Sequence, residues 1–212
     1  KARLGSDLSD DHPVSFVYSE QLANRAPELR SPANLPEKIK LDHMGELQCT
    51  TCHDVHDNTH GDFLVMPNRN SEICTSCHIM NGWNLSDHNR STALTASSND
   101  PFLKESRYKT VAANGCGNCH TPHSAGSSQR LLHFEESEDN CLNCHNGTVA
   151  ATNLEADLAK LSSHDVRKYR GLHDPEELHF TAPTHVECVD CHNPHALHNT
   201  ESGARTAGGA LK

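Results

Sequence analysis

The side chains in this 212-residue chain with chemistry to offer are ten cysteines and eighteen histidines. All ten cysteines fall into five copies of one pattern: Cys49-Thr-Thr-Cys52-His53, Cys74-Thr-Ser-Cys77-His78, Cys116-Gly-Asn-Cys119-His120, Cys141-Leu-Asn-Cys144-His145 and Cys188-Val-Asp-Cys191-His192. C-x-x-C-H is the attachment signal for c-type haem. The two thiols add across the porphyrin vinyl groups, and the adjacent imidazole is placed to ligate iron on one face. Structural zinc uses paired C-x-x-C motifs but does not require histidine after every second cysteine. Disulfides have no reason to favour this spacing, and a thioredoxin-like redox motif occurs once, beside a βαβ pattern that is absent here. With histidine at 18 of 212 positions, five independent occurrences there have a chance probability on the order of 10⁻⁵ to 10⁻⁶. The sequence therefore predicts five covalently attached haem c groups.

Each iron has a second axial position. His53, His78, His120, His145 and His192 are the proximal ligands, which leaves thirteen histidines for five distal places. Met44, Met66 and Met80 are too few and lack a supporting pattern, so bis-histidine ligation is the economical expectation. His56, His123 and His195 each lie three residues after a proximal histidine. Tethered to one haem face, they cannot easily cross to the other and should serve a neighbouring haem. His12, His88 and His164 recur at intervals of 76 residues and are the next candidates. His185, three before Cys188, and His43, six before Cys49, follow. His60, His133, His173, His179 and His198 are expected to contact solvent or haem propionates. If His56 serves the second haem and His123 the fourth, His195 has no sixth haem to meet. Either it, or His12, then ligates a haem of another copy, giving a head-to-tail contact that does not close, or His195 serves one of the chain's own haems.

The elements that must position these ligands are sparse. Leu, Ile, Val and Phe make up 38 residues, aromatic residues number nine, and the net charge is −10. Such a composition lies on the disordered side of the usual boundary, so an aliphatic-cored globular enzyme is excluded and the porphyrins must supply the core. Ten prolines and twelve glycines are scattered throughout. The expected fold is mostly irregular coil with short α-helices: a haem-cored, extended stacked-haem array with little or no β-sheet. Helical turns are expected at the motifs, with one further helix over 153–162 that places Leu154, Leu158 and Leu161 on one face. The first two motif pairs each repeat after 25 residues, and the histidine series divides the chain into units of 2 + 2 + 1 haems: 1–82, 83–158 and a truncated 159–212. These units are expected to form one continuous haem-cored domain. No apolar run reaches membrane-spanning length, the longest being Phe63-Leu64-Val65-Met66. A net acidic chain without a basic stripe is a poor nucleic-acid binder. Lys1-Ala2-Arg3-Leu4 leads directly into polar sequence rather than a secretory signal, as in a processed chain.

With its paired motifs, the CxxCHxPH form at Cys116 and Cys188, and Leu47-Gln-Cys-Thr-Thr-Cys-His53, the sequence resembles the doubled-CXXCH family of multihaem cytochromes c over most of 12–198. The resemblance implies electron transfer, maturation outside the cytoplasmic membrane, and, as in some similar chains, polymerisation into extracellular filaments. A haem with histidine on both faces offers no open position and changes little but its oxidation state. The expected function is electron conduction by hopping, outside the cell or in the periplasm. Expected partners are other copies of itself, redox proteins and extracellular acceptors. The alternatives are a soluble periplasmic shuttle, a multihaem reductase (for which no CxxCK variant is present) and a zinc-storage protein.

Overall fold

Short polar runs punctuated by capping residues, glycine and proline leave room for helices of only one or two turns. The computed structural model describes residues 4–163, 166 and 187–196. Its α-helices are α1 (Glu20–Arg25), α2 (Cys49–Cys52), α3 (Glu72–Thr75), α4 (Asp87–Arg90), α5 (Pro101–Glu105), α6 (Val111–Asn114), α7 (Ser137–Leu142), α8 (Leu154–Leu158) and α9 (Cys188–Cys191). Side-chain caps start several of them. Ser19, Ser86, Asp100, Thr110 and Asn153 accept the backbone N–H of Leu22, Asn89, Phe102, Ala113 and Ala156, which satisfies donors that have no partner within the helix. The sheet among the described residues is one antiparallel pair of two-residue strands, β1 (Phe16–Val17) and β2 (Glu46–Leu47), with Phe16 opposite Leu47. The expected fold class, mostly coil with short helices and little sheet, is what the structure shows.

The interior is polar as much as apolar. Of the side chains that are fully buried, Leu103 on α5 is the large apolar one, at 1% exposure; the others are Thr51, Thr95, Ser71, Ser86 and Ser98. Most are held by hydrogen bonds, as burial demands. The Ser98 hydroxyl donates to the Asn143 carbonyl at 3.1 Å, and the Ser71 hydroxyl donates to the Asn114 carbonyl at 3.1 Å.

Bonds of this kind also cross the boundary drawn at 82, and His88 Nδ1, 2.9 Å from the Pro194 carbonyl, crosses that at 158. The Cys116 N–H donates to Ser71 Oγ at 2.7 Å, the His12 N–H to the Pro122 carbonyl at 2.8 Å and the Ala125 N–H to the Asp10 carbonyl at 3.0 Å. Gly115, at φ +54°, permits the first of these approaches, because a Cβ there would lie 2.4 Å from Ser71 Oγ.

The helix expected over 153–162 is shorter than its periodicity predicts. Asn153 caps it, but it ends at Leu158 with Ala159 as the C-cap, and Leu161 lies beyond it, fully exposed. Its residues other than Leu154 and Leu158 are exposed too, so no core face extends the pattern. His164 and His185, both distal candidates, lie outside the described residues, as do His173, His179 and His198. Among the described residues no helix is long and apolar enough to cross a membrane.

With so little aliphatic packing, each large apolar contact carries weight. Leu103→Ala should cost about 2–4 kcal/mol and Leu161→Ala no more than about 0.5 kcal/mol, read as the shift in denaturant midpoint of the purified protein.

A candidate chain of haem centres

All five C-x-x-C-H motifs are folded alike. The motif histidine donates its N–H to the carbonyl of the first cysteine: His53 to Cys49, His78 to Cys74, His120 to Cys116, His145 to Cys141 and His192 to Cys188, at 2.9–3.0 Å. This single turn of helix puts residues three and four apart on one side. The spacing of two residues between cysteines thus brings both thiols and the imidazole to the same face. All ten cysteines are free of disulfides.

Four of these imidazoles face a histidine from elsewhere in the chain. His53 lies opposite His123 with ring centres 6.1 Å apart, His78 opposite His12 at 6.3 Å, His120 opposite His195 at 6.2 Å, and His145 opposite His88 at 6.0 Å. An imidazole nitrogen sits about 2 Å from a metal it ligates and the ring centre about 1 Å further back, so two imidazoles trans across one iron have centres about 6 Å apart. All four pairs meet that distance. Among the described residues no cluster of three or more histidine, cysteine or carboxylate side chains could hold a bare metal ion. Two facing imidazoles beside two thiols fit a haem iron, whose other four ligands come from the porphyrin, and do not fit a protein-only zinc site.

Backbone and carboxylate acceptors set the ring orientation. Nδ1 lies 2.9 Å from the Asp62 carbonyl in His53, 2.7 Å from the Arg130 carbonyl in His120, 2.9 Å from the Pro194 carbonyl in His88, and 3.1 Å from the Pro13 carbonyl in His12. In His123 it lies 2.9 Å from Asp11 Oδ1. These oxygens only accept, so the ring hydrogen is on Nδ1 and Nε2 is left as the metal-binding nitrogen. Burial favours the neutral ring that a metal needs. It lowers His12, His78 and His120, and pushes His195 down to about 4, with repulsion from His120 and His88 adding to the effect.

The sulfurs order the motifs in space. Cys74 and Cys116 interact through their sulfurs, which raises Cys74 and lowers Cys116 to about 7, and Cys141 and Cys188 interact in the same way. Cys77, raised mainly by burial, is raised further by nearby Cys52; Cys119 stands in the same relation to Cys144. Adjacent motifs therefore meet alternately through their second cysteines (first with second, third with fourth) and their first cysteines (second with third, fourth with fifth). These interactions link the motifs in sequence order.

The pairing differs from the sequence expectation in one respect. His123 reaches back to the first motif rather than the fourth, and His195 to the third, so His195 and His12 both face motif histidines of their own chain. The tether argument stands, because neither crosses its own haem; what spacing could not give was the direction. His56 and His43 are exposed and face no motif histidine among the described residues. Met66 accepts a hydrogen bond from the Ser76 hydroxyl instead of facing a motif.

Two features were missed. His133, expected at the surface, is buried, stacked on Phe102 at 4.3 Å, with Nδ1 2.7 Å from Asp100, the cap of α5. Glu138 is also buried. It stands three residues before Cys141, as Ser71 stands before Cys74, and its carboxylate accepts the Cys188 N–H as Ser71 accepts that of Cys116. Its Oε1 has no hydrogen-bond partner, and burial, with Glu187 and Glu136 nearby, raises its pKa. The repeat offset of three residues before the cysteine is the signal that could have flagged it.

A family model of the doubled CXXCH motif matches residues 43–81 and again 109–150. Each matched segment contains two complete motifs, and these indicate covalently bound haem c. The motif at Cys188 lies outside both segments. No curated protein and no solved structure matches the chain.

One pH dependence follows from a shifted group. Glu138 is shifted up, so its ionisation opposes folding as pH rises. Glu138→Gln should melt a few degrees higher at pH 7, an advantage that disappears in acid below the ordinary glutamate range, as followed by thermal melts.

Proposed function

We propose that the chain is a five-haem c-type cytochrome that conducts electrons and does no substrate chemistry. The observation that carries this reading is the set of four histidine pairs at 6.0–6.3 Å, each joining a motif histidine to one outside the motifs. The proposed axial sets are His53 with His123, His78 with His12, His120 with His195 and His145 with His88, with His192 as the proximal ligand of the fifth. Bound haem c supplies a one-electron couple at each iron.

The chain's own part is positional. The cysteine pairs would hold the haems in sequence order, and the paired imidazoles would both bind the iron between them, which would deny it to small molecules. Their hydrogen-bonded Nδ1 atoms keep each ligand basic and fixed in orientation. With the haems in sequence order, an electron entering at one end would leave at the other. Covalent attachment of this kind, together with the acidic surface, supports work outside the cytoplasmic membrane. Within that role, the reading is a subunit of a polymerising extracellular filament, of which residues 1–82, 83–158 and 159–212 are the repeating units.

Intact-mass measurement tests the count: the mature chain should exceed the polypeptide mass by five haem groups, and replacing both cysteines of any one motif by serine should remove one. His123→Ala should convert one haem from low to high spin and open it to carbon monoxide, with the others unchanged. A bare polypeptide mass, or resting haems that already bind carbon monoxide, overturns the reading.

A further inference from the structure

The hydrogen bonds that orient the paired rings differ in charge. The Nδ1 atoms of His12, His53, His88 and His120 rest against the carbonyls of Pro13, Asp62, Pro194 and Arg130, which are neutral acceptors. That of His123 rests 2.9 Å from a carboxylate oxygen, Asp11 Oδ1. Asp11 comes from a segment 112 residues away in sequence, and its side chain is only 6% exposed. A carboxylate taken so far out of water needs donors, and little solvent is left to screen its charge.

The backbone around the acid keeps it in place. The Ser124 N–H donates to the same Oδ1 at 3.3 Å, from a residue whose φ of 52° is uncommon where a Cβ is present. Main-chain bonds tie the two segments together on either side of Asp11. The His12 N–H donates to the Pro122 carbonyl at 2.8 Å, and the Ala125 N–H to the Asp10 carbonyl at 3.0 Å. The residue after the acid, His12, faces His78. One step of backbone therefore carries a ring of the second pair and the carboxylate that serves the first.

We infer that Asp11 sets the reduction potential of the centre between His53 and His123, holding it below the value that a neutral ring acceptor would give. The inference rests on the bis-histidine reading above and makes Asp11 a positioning residue that acts through His123. A carboxylate draws the Nδ1 hydrogen towards itself and leaves more electron density on Nε2. A more basic ligand favours iron(III) over iron(II), and the negative charge of the carboxylate acts in the same direction. One electron, delivered by the proposed conduction, takes iron(III) to iron(II) at this centre. The ring hydrogen stays between Nδ1 and Asp11 throughout, so no proton is taken up.

The test is a redox titration of the holo-protein, with spin states followed in parallel. Asp11→Asn keeps an oxygen that can accept the ring N–H and removes the charge. Its spin states should match the wild type, while one midpoint potential rises by about tenfold in the reduction equilibrium, or ~59 mV for one electron. His123→Ala identifies the centre without altering Asp11. Filled with imidazole, whose N–H can meet the carboxylate, the opened haem should have a lower potential than when filled with N-methylimidazole. That difference should vanish in His123→Ala/Asp11→Asn. Unchanged potentials in Asp11→Asn overturn the inference, and so does a difference between the two ligands that survives loss of the carboxylate. A haem that turns high-spin in Asp11→Asn also overturns it, for it makes Asp11 a prop for the ring alone. None of these results touches the proposed function, which fails separately if His123→Ala leaves every haem as it was.

Discussion

The gap of about 6 Å between facing imidazoles is the constraint on which the rest of this molecule depends. The partners in each pair lie between 57 and 75 residues apart in sequence. An iron held between them would close a long loop, and closing it would remove much of the freedom of the unfolded chain. Thioether bonds add short loops at the same centres. A sequence of mean hydropathy −0.68 cannot offset its ordering entropy by aliphatic burial alone, so cross-links at regular intervals are the physical substitute. This explains why the helices stop after one or two turns. Those at the attachment motifs need only present two sulfurs and a ring.

The polar interior follows from the same constraint. Side chains that pack between ligand-bearing turns must bond backbone groups that no long helix or sheet satisfies. Ser71, Ser98, Asp100 and Thr51 do this, the last by bonding the Gln48 N–H at the start of α2. Thr95, whose buried hydroxyl has no partner, is the exception. His133 belongs with the bonded group. A buried imidazole fixed by Asp100 and stacked on Phe102 is a structural device rather than a ligand, although it is the same residue type as the eight that face each other in pairs.

The five attachment motifs and the low content of regular structure were both legible in the sequence, because each depends on short-range spacing. The 76-residue recurrence of His12 and His88 was legible as a pattern, and both face the second motif of their own unit. The direction in which His123 and His195 reach was not. A histidine three residues after a motif can serve a haem before or after it, and only the path of the chain between the units decides. That path is set by long-range bonds such as His12 to Pro122 and His88 to Pro194, which local spacing does not encode. The length of α8 was missed for a related reason. Leucines at helical spacing predict a face, but nothing in the sequence says whether a surface exists for it to meet.

The series of motifs is regular in its contacts but not in its electrostatics. Ser71, at the junction of the second and third motifs, is neutral; Glu138, at the equivalent place between the fourth and fifth, is acidic and has Glu187 beside it. A negative charge there would oppose the arrival of an electron and lower the potential of both neighbouring centres. Burial works against that charge, because it raises the Glu138 pKa and so favours the neutral carboxylic acid. The carboxyl also donates nothing and accepts from the Cys188 N–H, an interaction that favours ionisation. Desolvation is the larger of the two, so the junction is less negative than its residue types imply. The two junctions are thus built on one geometric rule while differing in the ionisable group placed beside them.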